Sequence, residues 1–370
     1  MTFPAQNLFR RNCTALAGLA LLAAAGAASA QSSVTLYGIL DVSVRYADGL
    51  TPANTGSATS TTAISSGINT TNRWGLRGAE DLGGGMSAIF TLEGCINTDV
   101  GASSSATKLF DRAAVVGLRG GFGTVTLGRQ TTLLADTLVG IDPLSSRFAA
   151  FNPNIAIATL SGHLLTTPTN VAIEYGPSGS ATGSFRLDNS VKYVGNFGDV
   201  SVRAMHAFGE QAGNSSNSSS TGLSAGYQSG NYAANLAYTQ FKTATGLNLK
   251  AYFGGVSGML GSSRLSLTYG THEAETTVTT KTRNRTLGLG GTIPLNPSID
   301  LILTHYQVKR TRTALTNDGF NRTLGFLEYK LSKRSKVYAE LDHTSWKNNY
   351  QGVGLKSGAT GVSLGVMHTF

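Results

Sequence analysis

The side chains with chemical capacity in this 370-residue sequence recur at every second position. Asp41, Ser43 and Arg45 alternate with Leu40, Val42 and Val44, and Arg73 and Arg77 alternate with Trp74 and Leu76. Charges spaced in this way share one face of an extended segment. On the wall of a narrow wet passage they would act on mobile ions, offsetting the hydration an ion sheds there. Later segments repeat the pattern with Lys192, Arg203, Lys250 and Arg264, then with Glu328, Glu340 and Asp342. With Asp41, the first four of these are predicted to face the wet side.

Covalent chemistry finds no constellation. A nucleophile, a base and an orienting group must come within reach of one another. Asp342–His343 and His272–Glu273 are sequence neighbours, so on a strand each pair points to opposite faces. Ser161 and His163 form a weak pair, and neither G-x-S-x-G nor H-E-x-x-H occurs. Gly288, Gly290 and Gly291 read as strand glycines rather than a nucleotide loop. Two cysteines and six scattered histidines do not make a metal ligand set. No nucleic-acid motif is present. The expectation is a protein without catalysis, metal or cofactor.

The elements that must carry these charges are strands. Leu265, Leu267 and Tyr269 oppose Arg264, Ser266, Thr268 and His272. Val337, Ala339 and Leu341 oppose Tyr338, Glu340 and Asp342. The last segment sets Val362, Leu364 and Val366 against Ser363, Gly365 and Met367. Leu247, Leu249, Ala251 and Phe253 are read as the apolar face of another strand, opposite Lys250 and Tyr252. About sixteen such segments run from Val34 to Phe370, each of the length a tilted membrane strand needs. Unpaired backbone amides cost several kcal/mol each in hydrocarbon, so a sheet there must close on itself. The predicted fold is all-β, a transmembrane antiparallel barrel of about sixteen strands, wide enough for an aqueous lumen.

Connections alternate between tight and long. Gly83–Gly85, Gly120–Gly123, Asn196–Asp199, Ser229–Asn231, Leu295–Ser298 and Ser332–Ser335 carry turn residues. One connection, 131–184, shows no alternation. A structureless stretch of that length is usually functional, and its natural place is the lumen, narrowing the passage; a surface loop or extra strands is the other reading. Tyr193, Phe208, Tyr232, Tyr238 and Tyr269 fit an aromatic girdle.

Composition agrees. Only 13% of residues are charged, against about 25% in soluble domains, and 46 are glycine. At the start, Arg10 and Arg11 precede an apolar run from Cys13 to Ala25, closed by Ala28-Ser29-Ala30. That is a cleavable secretory signal, so residues 1–30 are read as leader and 31–370 as one domain. Removing Arg10 and Arg11 takes the net charge from +9 to +7 and leaves Cys95 without an intrachain partner. The basic excess fits an anion-tolerant interior or contact with anionic lipid headgroups.

At this point specific motifs emerge: Leu36-Tyr37-Gly38-Ile39-Leu40-Asp41, then Arg73-Trp74-Gly75-Leu76-Arg77-Gly78-Ala79-Glu80-Asp81-Leu82-Gly83, then Val116 to Gln130, and the terminal His368-Thr369-Phe370. They resemble the general porins of Gram-negative bacteria, in the branch typical of β-proteobacteria. The resemblance spans 31–370 and is densest from Val34 to Gln130. It implies a homotrimer in the outer membrane, a third extracellular loop folded inside, and passage of inorganic ions and small solutes, often with anion preference. It also implies lipid and lipopolysaccharide as surroundings, and Phe370 as the signal read by the barrel-assembly machinery. The arginine cluster that the family sets on its early strands matches Arg45, Arg73 and Arg77. Met367 departs from the pattern, since many relatives carry arginine there. The inner loop lacks the family's motifs, so its constriction residues do not transfer.

The candidate constriction therefore comprises Arg45, Arg73, Arg77 and Arg129 on the wall, and Asp136, Asp142 and Arg147 on the loop, with Glu174 a further loop acid. Arg129 shares the parity of Val125 and Leu127, so its side is open. The expectation is a basic wall facing a weakly acidic loop; each arginine could equally anchor the loop. A channel specific for a sugar or organic anion is the alternative, motivated by Phe148 and Phe151. A soluble secreted all-β binding protein is a third.

Overall fold

The computed structural model describes residues 33–160, 173–179 and 185–370. The leader expected at 1–30, and Ser161 and His163, lie outside the described residues. One antiparallel sheet of 18 strands closes on itself. The strands are β1 (Ser33–Leu50), β2 (Gly56–Ser66), β3 (Arg73–Gly83), β4 (Met86–Asn97), β5 (Ala102–Ser103), β6 (Ala113–Gly120), β7 (Gly123–Thr131), β8 (Arg186–Phe197) and β9 (Val200–Ala207). They continue with β10 (Ser220–Ser229), β11 (Tyr232–Lys242), β12 (Asn248–Leu260), β13 (Ser263–Glu275), β14 (Lys281–Asn296), β15 (Ile299–Arg312), β16 (Asp318–Lys330), β17 (Ser335–Lys347) and β18 (Gly358–Thr369).

The wall has sixteen staves. β2 and β3 make one of them, because both pair with β1: β2 with its loop-end half, β3 with its start. The break between them, residues 67–72, is a hook turned toward the lumen. β5 is a two-residue ladder on β4 and adds no stave. Closure comes from β1 against β18, from Ile39 opposite Thr369 to Asp48 opposite Thr360. It extends through Gly38 and Phe370, whose backbones exchange two hydrogen bonds of 3.1 and 3.2 Å. A Cβ on Gly38 would strike the Phe370 ring and the Arg73 carbonyl, so the seam requires glycine there. The tight connections collect at one end, and the long ones at the other.

The outward rows are apolar and exposed, as lipid contact demands: Val44, Leu223, Leu236, Leu265, Leu289, Leu303, Leu341 and Leu364. No helix among the described residues is long and apolar enough to cross a membrane, so the crossing elements are strands.

Inside, the long connection after β7 holds two short helices, α1 (Leu133–Leu138) and α2 (Pro153–Ala158). Thr132 caps α1 by accepting from the Ala135 N–H at 3.2 Å, and Asn152 caps α2 ahead of Pro153 at N1. Leu133, Leu134, Leu138 and Ile141 pack with Met205, Ala237, Leu249, Ala251 and Phe253 of the wall. Burying each such large side chain contributes roughly 1.5–3 kcal/mol. The core of this barrel is thus the interface between wall and loop.

That packing overturns one expectation. Leu249, Ala251 and Phe253 of β12 are buried inward, while Lys250 and Tyr252 are exposed on the outer face. Lys250 does not line the lumen. The loop covers the inner wall at β12, so its inward row meets protein rather than water and is apolar. The parities read for β13, β17 and β18 are the ones found.

Candidate functional site

The lumen has a covered wall and a free wall. Along the covered wall, from β8 to β17 and across to β1, the inner loop is tied down by named bonds. Asn235 donates to the carbonyls of Thr137 and Val139, both at 3.2 Å. Ser257 donates to the Gly140 carbonyl at 2.7 Å, and Arg264 donates to the same carbonyl and to that of Asp142. Lys192 on β8 reaches Asp136 at 2.7 Å. Arg264 and Lys192 thus face inward, and both are spent on the loop.

Asp142 is the loop's hub, with 1% of its surface exposed. Its carboxylate accepts from the Ser146 N–H at 2.6 Å, Asn154 at 2.8 Å, Asn152 at 2.9 Å and the Tyr306 hydroxyl at 3.2 Å. Burial pushes its pKa up, against the pull of those donors. Asn154 also donates to Thr268 on β13 at 2.8 Å. Arg147 grips Glu328 on β16 through two bonds, 2.5 and 2.9 Å. Asn69 from the hook donates to the same carboxylate at 2.5 Å, and the Asn69 carbonyl receives the Phe148 N–H at 3.3 Å.

Arg45 lies inward but beneath the loop. It is 3% exposed and paired with Glu340 at 2.8 Å and Asp342 at 2.6 Å. Gly361, in register with Asp342, leaves it room: a Cβ there would collide with both the guanidinium and Asp342. The Phe148 ring stacks over Arg45 with its centroid at 5.0 Å, and Phe151 covers Arg322 at 3.3 Å. Both phenylalanines are buried, so neither offers a surface to a passing sugar. Asp41, also inward and buried, receives the Tyr338 hydroxyl at 2.7 Å and the Thr70 N–H at 2.7 Å. It anchors the hook.

The free wall runs from β1 and β3 through β4, β6 and β7. Arg73 pairs in register with Ile39 and Cys95, and Arg77 with Thr35 and Thr91, all on the inward row. Arg77 is exposed, with its guanidinium 5.0 Å from the Tyr37 ring centroid. Arg119 of β6 is inward and exposed near it, lining the same recess as Thr35 and Thr91. Arg112 pairs with Glu93 at 2.5 Å, and Tyr37 donates to the other Glu93 oxygen at 2.9 Å. Arg186, where the loop rejoins β8, stands close enough to feel the charges of Arg112 and Glu93. Arg203 on β9 and Asp136 line an open recess of about 570 Å³ below α1.

Arg129 is not on this row. Gln130, buried, keeps the inward parity of Thr126, to which it is bonded at 2.7 Å, and Arg129 on the other parity binds Asp188 at 2.7 Å with Lys108 on the same carboxylate. Arg112, Arg119 and Arg186 escaped the sequence reading. Arg112 and Arg186 sit at strand starts next to loops, where alternation fades. Arg119 does sit in an alternating strand, Val115-Gly117-Arg119, and that parity was the available signal.

The chain matches the family model described as Gram-negative porin over residues 15–349. It is 30% identical to outer membrane porin protein 32 of Delftia acidovorans, over 96% of this chain and 99% of that protein. It is 32% identical to an outer membrane porin protein of Bordetella pertussis, over 52% of this chain and 54% of that protein. Among solved structures, the anion-selective porin from Comamonas acidovorans superposes with a TM-score of 0.71 at 25% identity, covering 92% of this chain and all of that one. OmpT, an outer membrane protein of Vibrio cholerae in its trimer form, shares the fold with a TM-score of 0.63 at 16% identity over 92% of this chain.

Proposed function

This chain belongs to the family of Gram-negative porins and is an outer-membrane diffusion channel, and on that premise we propose that its free arginine wall sets a preference for anions. The carrying observation is an imbalance of charge. The loop carboxylates Asp136 and Asp142 are consumed by Lys192 and by buried hydrogen bonds, whereas Arg77 and Arg119 are exposed on the inward row. A basic surface with few free acids opposite raises the local concentration of anions and offsets their dehydration. Arg73 continues the row toward the loop, while Arg112 is matched by Glu93. In this reading Arg45, Arg147, Arg264 and Lys192 hold the loop, and Arg129 braces its stem.

The reading is a general one: inorganic ions and small hydrophilic solutes, without a binding track. It also makes the protein no enzyme. Asp342 is buried inward while His343 is on the outer face, and His272 and Glu273 divide likewise. A homotrimer, assembly through Phe370, and contact with lipopolysaccharide belong to the same proposal. The test is the zero-current potential across a planar bilayer under a salt gradient. Arg77→Ala and Arg119→Ala together should move it toward the cation side; an unchanged potential would remove the free wall from the account.

A further inference from the structure

The inner wall holds a recess that the free arginine wall does not use. It lies between the end of α1 and the tight turns joining β8 to β9 and β10 to β11, with a volume of about 570 Å³. Val139 and Gly140 of the loop, Asp199 and Gln228 at the turns, and Arg203 of β9 are among its lining residues. Gly226 lines it too, in register with Ser201 and Asn235. A Cβ on Gly226 would crowd the Ser201 hydroxyl and the Asn235 side-chain oxygen, so glycine keeps the space between them clear.

Charge in this recess is divided rather than uniformly basic. Asp136 lines it and is already matched by Lys192 at 2.7 Å. Arg203 and Asp199 form no ion pair among the described residues, with each other or with any third group. Nη1 of Arg203 is buried with no hydrogen-bond partner. Ser224, in register opposite Arg203 and 7% exposed, has a buried hydroxyl in the same condition. Buried donors left unanswered cost free energy that an acceptor recovers. Asp199 and Arg203 share a parity and are four residues apart, roughly 13 Å along the strand. Once both side chains are counted, that span fits one small molecule with a charge at each end.

We infer that this recess holds a small zwitterion of the α-amino acid class, its carboxylate on Arg203 and its ammonium toward Asp199. The inference rests on the chain being a diffusion channel and names one stop on the path, not a selective track. A carboxylate accepts paired N–H donors from a guanidinium, which answers the unpartnered Nη1. The ammonium needs a carboxylate without a counter-charge, and Asp199 meets that condition where Asp136 does not. A plain anion would leave Asp199 unmatched, and a plain cation would leave Arg203 so. Gln228 and Asn196 beside them suit a short polar side chain.

The test records current through the reconstituted protein in a planar bilayer while L-serine is added to both sides. Block, read as excess current noise, should saturate. Arg203→Gln should raise the half-blocking concentration by about tenfold or more. Asp199→Asn should raise it for serine and leave it unchanged for N-acetylserine, which has no ammonium. Absence of a saturable block in the wild type would overturn the site, as would an unaltered block in the conducting Arg203→Gln channel. Wild-type block by serine in Asp199→Asn would make the recess an anion site and overturn the zwitterion. The zero-current potential of the same membranes separates the two readings. A chloride sign without serine block loses only the recess, a potassium sign with serine block loses only the basic wall, and a silent bilayer loses both.

Discussion

Two arginines on inward rows show how context divides one residue type. Arg45 is sealed between the loop and two carboxylates, so its removal leaves Glu340 and Asp342 buried without a counter-charge. Breaking one side of such a cluster costs about 3–5 kcal/mol. Arg45→Ala should therefore lower the thermal unfolding midpoint, read from the heat-modified gel mobility of the barrel. Arg77 stacks on Tyr37 in the open, and Arg77→Ala should leave that midpoint in place while shifting ion preference. If Arg45→Ala changed selectivity alone, its anchoring role would be wrong. Both residues have the inward parity in the sequence; what alternation does not encode is whether a loop lies on top.

At the scale of elements, the inner loop is a second layer against the wall, and Asp142 organises it. Asp142→Ala would leave the Asn152, Asn154 and Tyr306 donors unanswered in a buried place, at about 1–3 kcal/mol for each group not rescued by water. The loop should loosen, and liposomes containing the variant should swell in larger sugars than wild-type liposomes admit; an unaltered size limit would show that the loop is held elsewhere. The hook at 67–72 supports the same layer, since Asn69 bonds both Glu328 and the Phe148 backbone. Nothing in the local sequence announced the hook, because the β2–β3 stave is interrupted by contacts with residues far along the chain. β12 misled for a related reason. Its inward row, Leu249, Ala251 and Phe253, is greasier than its outward row, and only the α1 packing shows that the greasy side meets the loop rather than lipid. In a Cys95→Ser background, a charged thiol reagent applied to Lys250→Cys should leave conductance unchanged, while the same reagent on Arg77→Cys should lower it. A block at Lys250→Cys would restore that residue to the lumen.

For the molecule as a whole, closure was the legible part. Strand number, turn positions and outward apolar rows follow from period-two patterning, because each lipid-facing row must be apolar and each amide must find a partner. The site was legible only in outline. Arg73 and Arg77 stood out by parity, whereas Arg112 and Arg186 enter the lumen from loop junctions that carry no period. Net charge follows the same division: Arg285, Lys309 and Lys347 lie on outward rows while the free inner wall is basic too, and the sequence total cannot apportion them. A closed, water-filled cylinder with a basic free wall should conduct anions in preference to cations. Reconstitution of the purified protein into a planar bilayer under a potassium chloride gradient measures this in one step. Stepwise conductance with a zero-current potential of the sign set by chloride is expected; a silent bilayer, or a potential of the sign set by potassium, would refute the basic-walled channel.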